Sequence, residues 1–278
     1  GTIDKDGNVG SIGGVKYKLI GAVKNNADIF IVPNGKNYDE AIKIKQDKNY
    51  DIKIIGVSTL EETINELVNH YELKEVPKGV VWTTDELATT VFSNIPIPAF
   101  TNKDLIYLSP DLVSWRRLFL TQLEGKKHSK IEDFYTNMSE NHILTILGHE
   151  LTHHSDLFLD EFDDERENSI WFEEGMCEYL SRKYLLNDTE YKEITNIEIE
   201  LMSLFKHKYG NHSLEEFGSD SYQGSLTSIM FDYWRSFLAV KYLVEEVANN
   251  DPKQVFKEYH KWHNEGRKKP LIEYFHLD

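Results

Sequence analysis

Apolar residues recur every third or fourth position through most of the second half of the chain, whereas the first quarter alternates short apolar runs with amphipathic stretches. Val15 to Asn25 reads as a helix opened by Gly13-Gly14, and Ile29-Phe-Ile-Val32, within Asp28 to Pro33, as a buried strand. Tyr38 to Gln46 reads as an amphipathic helix and Asp51 to Val57 as a second strand. Thr59 to His70 reads as a third helix, capped by Ser58 or Thr59 with Glu61 and Glu62 in its first turn. Periodicity then fades from Tyr71 to Asn102, where Pro77, Pro96 and Pro98 mark a connection.

Beyond it, Asp104 to Ser109 is a strand, and Asp111 to Glu124 a helix with Trp115 and Leu118 inward. Gly125 to Glu140, polar and rich in lysine, reads as a loop. Three longer helices follow over Asn141 to Leu157, Ser169 to Leu186 and Ser225 to Ala248, and Pro252 opens a last one running to about His263. The pattern predicts an α+β chain: a small α/β segment over residues 1–72, a connection over 73–102, and a mainly helical domain with a small edge sheet over 103–278.

With 278 residues, 40% of them hydrophobic, the chain has enough material for real cores. Its 31 basic and 47 acidic side chains give a formal charge of −16, which disfavours phosphate backbones and anionic membrane surfaces as partners. No run approaches the roughly 18 apolar residues of a membrane span. Cys177, the only cysteine, excludes an intramolecular disulfide and a cysteine-rich metal cluster, and its place in a helical run suits a small buried hydrophobe.

The chemistry concentrates in Gly148-His-Glu-Leu-Thr-His-His154. Histidines four apart share one helix face, so His149 and His153 can reach one Zn²⁺ while Glu150 points toward the metal's water. His154, about 100° round the helix from His153, points off that face. His260 and His263 flank Trp262 with no accompanying carboxylate pattern and read as a surface pair.

Together with Glu174-Gly175-x-x-Glu178, 21 residues past the second histidine, the motif resembles the gluzincin class of zinc metallopeptidases. The resemblance implies one Zn²⁺ per chain, bound by His149, His153 and Glu174, with Glu150 as general base acting on zinc-bound water. It implies that Glu178 hydrogen-bonds a ligand histidine; Glu173 is the weaker ligand candidate, since the family's ligating glutamate directly precedes the glycine. In the related aminopeptidases a tyrosine ten residues ahead of a leucine donates to the oxyanion. Tyr233 and Leu243 have that spacing, with Ser236 in place of the family's glycine and Tyr222 as a second candidate. Asp104 to Ser109 is the expected edge strand along which an extended peptide would pair.

The N-terminal run Asp6-Gly-Asn-Val-Gly-Ser-Ile-Gly-Gly14, leading into Val15-Lys-Tyr-Lys-Leu-Ile-Gly-Ala22, resembles the C-terminal half of Lon-type serine-lysine proteolytic domains. The family's catalytic lysine falls on Lys18, while its serine belongs to an upstream Ser-Ala-Gly context that this chain does not contain.

The expectation is a zinc-dependent peptidase, an endopeptidase rather than an aminopeptidase, since no Gly-x-Met-Glu-Asn segment precedes the motif. Its partner is a peptide or protein substrate; oligomeric state is not legible. Two rivals stand: a non-catalytic, metal-stabilised binding module, against which the intact Glu150 argues, and a serine-lysine peptidase whose nucleophile half lies outside this chain. The absence of an initiator Met suggests a piece of a longer parent, for which an extracytoplasmic or membrane-anchored setting is expected over a cytoplasmic one.

Overall fold

The computed structural model describes residues 8–24, 27, 29–59, 62–63, 77–102, 104–160, 169–218 and 221–277. These fall into two units, Gly1–Lys74 and Glu75–Asp278.

In the first unit, α1 (Val15–Lys24) follows Gly14, whose φ of 69° favours glycine. Strands β1 (Ile29–Pro33) and β2 (Lys53–Val57) pair in parallel, Ile29 opposite Lys53, with α2 (Lys36–Lys48) as the crossover between them. Val15, Leu19, Val32, Ala41, Ile52 and Ile54 close a small core. The glycine turn is fastened to α2 by Asn37, whose amide both accepts from Ile12 N and donates to Ile12 O, each at 2.8 Å. Lys18 is exposed, so the burial that would make it a base is not supplied by the described residues. Of the helix expected over Thr59–His70, only the start is described: Thr59 Oγ1 accepts from Glu62 N at 3.0 Å, and residues 64–70 lie outside the described residues, as do residues 1–7.

The second unit has a three-stranded sheet in the order β3-β5-β4. Strand β3 (Gly79–Trp82) runs parallel and β4 (Ala99–Asn102) antiparallel to the central β5 (Leu105–Leu108). Two expectations change here. Asp104–Ser109 holds the middle strand and not the edge, and the stretch 73–102, read as a connection, supplies both edges, β3 and β4. The prolines that obscured them, Pro96 and Pro98, precede β4 without interrupting it.

Helix α3 (Leu112–Thr121) is capped by Asp111, which accepts from Val113 N, and Trp115 is fixed by donating its indole N–H to Ser109 O at 2.8 Å. Gly125–Glu140 is not a loop throughout: α4 (Ser129–Asn137) buries Ile131, Phe134 and Tyr135, an i, i+3, i+4 triplet outnumbered by surface lysines and acids. The helices α5 (Asn141–Thr152), α6 (Ile170–Leu185) and α8 (Leu226–Tyr242) form the centre, with α6 packed against both others. Between α6 and α8 in the chain lies the longest described helix, α7 (Asp188–Tyr209), opened by an Asn187–Glu190 capping box and not singled out in the sequence reading. The helix α9 (Pro252–Asn264) closes the unit, capped by Asp251. The fold is α+β and mainly helical.

Glycines set how closely the central helices approach. A Cβ on Gly175 of α6 would lie 2.5 Å from Ser236 O and 2.7 Å from Val240 Cγ2 of α8. Neither the helix backbone nor the fully buried Val240 has room to yield. Gly175→Ala is therefore expected to destabilise the protein by about 1–3 kcal/mol despite alanine's better helix propensity. A denaturant midpoint unchanged from wild type would show that α6 and α8 can separate at no cost.

Candidate functional site

The sequence spacing places His149 and His153 one turn apart at the C-terminal end of α5, His153 itself being the C-cap with φ −57°. Unsatisfied carbonyls and the helix dipole make such an end favourable for a cation. From α6, Glu173, Glu174 and Glu178 come from one side of the helix toward these imidazoles, and all three line the same cavity.

His149 Nε2, His153 Nε2 and Glu174 Oε2 converge: the two nitrogens are 3.2 Å apart, and the oxygen lies 3.0 Å from His149 Nε2 and 3.6 Å from His153 Nε2. A tetrahedral zinc ion with ligands at about 2.0–2.2 Å separates its ligand atoms by about 3.3 Å, so this triangle has the edge lengths of one face of such a site. Glu174 Oε2 is buried without a hydrogen-bond partner although both imidazoles are at hand, so a cation among the three atoms would satisfy it. The residues fit a zinc ion by donor type, number and spacing.

Each ring is oriented from behind by a carboxylate. His153 Nδ1 donates to Glu173 Oε1 at 2.7 Å, and His149 Nδ1 faces Glu178 Oε1 at 3.6 Å. Both contacts favour the tautomer that leaves Nε2 as the ligating atom. Glu178 is in turn held by Arg182 Nε at 2.7 Å, and Arg182 Nη2 reaches Glu198 Oε1 on α7 at 2.8 Å. Arg182 also lies over the Phe237 ring, 4.4 Å from its centroid. Burial alone would lower the proton affinity of both imidazoles; Glu174 and Glu178 beside His149, and Cys177, Glu174 and Glu173 beside His153, outweigh it and raise both. The pocket is built to hold positive charge.

Glu150, 7% exposed, takes a hydrogen bond from Thr101 Oγ1 to Oε2 at 2.7 Å. Burial pushes its carboxyl up against the pull of the two histidines, the direction suited to a group that must accept and return a proton. Thr101 belongs to β4, so the edge strand nearest the glutamate is the one hidden in the proline-containing stretch. The hydroxyls of Tyr222 and Tyr233 are 3.0 Å apart, and that of Tyr222 donates to Glu174 Oε1 at 2.9 Å. The structure thus brings together His149, Glu150, His153, Glu174, Glu178, Tyr222 and Tyr233 in the lining of one cavity of about 530 Å³.

A family model for the Lon protease C-terminal proteolytic domain matches residues 1–70. Residues 1–70 are a Lon-like segment. The match suggests a protease-related function and a protein substrate. No curated protein and no solved structure matches.

The remaining candidates fall outside the cavity. His154 is buried but does not line it, His260 Nε2 sits 2.7 Å from Leu157 O, and Cys177 is buried. Burial pushes the Cys177 thiol up to about 12, which fits a packing role. Sequence reading missed Thr101, Arg182 and Glu198, and it passed over Glu173 as the partner of His153. Glu173 carried a signal, since a carboxylate beside Glu174 lies on the turn that faces the helix end. Arg182 and Glu198 carried none, since isolated charges in helical runs read as solvated. Among the described residues no helix is long and apolar enough to cross a membrane.

Proposed function

We propose that residues 75–278 form a zinc-dependent peptidase of gluzincin type, with His149, His153 and Glu174 as ligands of one Zn²⁺. The observation that carries this reading is the triangle of three ligand atoms at tetrahedral spacing beside a buried, hydrogen-bonded glutamate that has no place in a purely structural site. Zinc, when bound, polarises the scissile carbonyl and acidifies water. Glu150 removes the water proton and returns it to the leaving amine, with Thr101 holding one of its oxygens in place. Tyr222 gives its proton to Glu174, so Tyr233 donates to the Tyr222 oxygen in the free site and turns that proton to the developing oxyanion when substrate is bound. Glu173 and Glu178 keep the imidazoles in the ligating tautomer. An extended peptide would pair with β4, the edge strand that carries Thr101.

A second reading has its own support: the match over residues 1–70 favours serine-lysine proteolysis, with Lys18 as the base. Digestion of a diverse peptide library, with and without a zinc chelator, separates the two. Under the zinc reading cleavage stops on chelation and returns with added zinc, and Lys18→Ala leaves it unchanged. Chelator-resistant cleavage that Lys18→Ala reduces about a hundredfold or more would establish the serine-lysine reading instead.

A further inference from the structure

The cavity does not end at the three ligand atoms. It continues along α5, whose cavity-facing residues step back from His149 through Ile146 and Thr145 to His142, about 10 Å along the helix axis. The walls of this inner part are apolar apart from one phenol: Trp115, Leu118 and Phe119 from α3, Met138 after α4, Ile146, and Tyr135 of α4, close enough to Arg182 and Glu198 to feel their charges. Its far end is polar. Arg182, Glu198 and His142 line it, and each keeps one buried side-chain atom without a hydrogen-bond partner: Arg182 Nη1, Glu198 Oε2 and His142 Nε2. Glu198 is 2% and His142 8% exposed. Arg182 uses Nε on Glu178 and Nη2 on Glu198, so its unpartnered Nη1 and the unpartnered Glu198 Oε2 belong to one ion pair.

We propose that this inner cavity is the specificity pocket for a tyrosine side chain of the substrate, with the phenol hydroxyl at the Arg182–Glu198 pair. A group that satisfies this end must both donate, to Glu198 Oε2, and accept, from Arg182 Nη1. A carboxylate only accepts and meets the charges of Glu198 and Glu178. An ammonium only donates, so it would leave Arg182 Nη1 without an acceptor. A phenyl ring leaves buried polar atoms unpaired, the circumstance in which pockets built around a hydroxyl reject the analogue that lacks it. A long carboxamide shares the donor and acceptor, but aromatic and aliphatic walls of this depth favour a ring. The occupant is called a substrate residue on the strength of the peptidase reading; the pocket's preference for a phenol does not depend on it.

Two measurements keep these apart. Calorimetric titration of the zinc-loaded full chain with p-cresol and with toluene, the two side chains in isolation, should show p-cresol bound about tenfold or more tightly. Fluorogenic peptides identical except for Tyr, Phe, Gln, Lys or Glu at one position beside the scissile bond should give the highest kcat/KM for Tyr, again about tenfold or more above Phe. Glu198→Gln, which keeps the bond to Arg182 but replaces the acceptor with a donor, should shrink both ratios several-fold; if that variant does not fold, the wild-type ratios decide. Preference for p-cresol without cleavage of any peptide would retain the pocket and remove the peptidase reading. Equal or reversed preference, for p-cresol over toluene or for Tyr over Phe in peptides that are cleaved, would overturn the pocket assignment.

Discussion

Replacing Glu150 by Gln should lower peptide turnover by about 10² to 10⁴, the usual contribution of a positioned acid-base group, while leaving the fold and the bound metal intact. The substitution preserves shape and keeps an acceptor for Thr101, so what disappears is the ability to take and return a proton. Because burial raises the carboxyl's proton affinity, the base is weakened as pH falls, and the acidic limb of the wild-type rate profile should lie above the range of an ordinary glutamate. Glu150→Gln should remove that limb along with the rate. A variant that loses rate together with zinc would instead make Glu150 part of the metal's support.

The second large effect concerns the metal. His149→Ala combined with His153→Ala should abolish zinc binding and, with it, the stability that zinc confers. With zinc at about a hundred times its dissociation constant that contribution is about 2.7 kcal/mol, or about 5 to 10 °C in Tm for a unit of this size. The measurement is the chelator-dependent drop in Tm: large in wild type, absent in the double variant. Zinc must also displace the protons that the carboxylate-rich pocket holds on both imidazoles above their ordinary range. Its affinity should therefore fall as pH is lowered through neutrality, the sign expected when metal and proton compete for one lone pair. An affinity flat from pH 8 to 6 would exclude imidazole ligation.

What could be read in advance was what neighbouring residues encode. His149, Glu150 and His153 stand at helical spacing within a single turn, and Glu174 follows through its resemblance to a known motif. The apolar rhythm likewise announces α5, α6 and α8 to within a few residues at most ends. What could not be read depends on partners distant in the chain. Strand order is a matter of long-range pairing, so Leu105–Leu108 looked no different as an edge than as the centre of a sheet. The triplet Ile131, Phe134 and Tyr135 was hidden among lysines and acids that a helix's outer face simply exposes. Glu198 is buried and Arg182 largely withdrawn from solvent only because they find each other across α6 and α7. Tyr222 reaches Glu174 from a short 3-10 turn, Ser221–Gln223, whose position no local rule specifies.

The central claim, one catalytic zinc ion held by His149, His153 and Glu174, is tested most directly by elemental analysis of the purified chain. One zinc per chain is expected in wild type and in Glu150→Gln, falling to none when both histidines are replaced by alanine. Stoichiometric zinc that survives loss of both histidines would place the metal elsewhere and contradict the account.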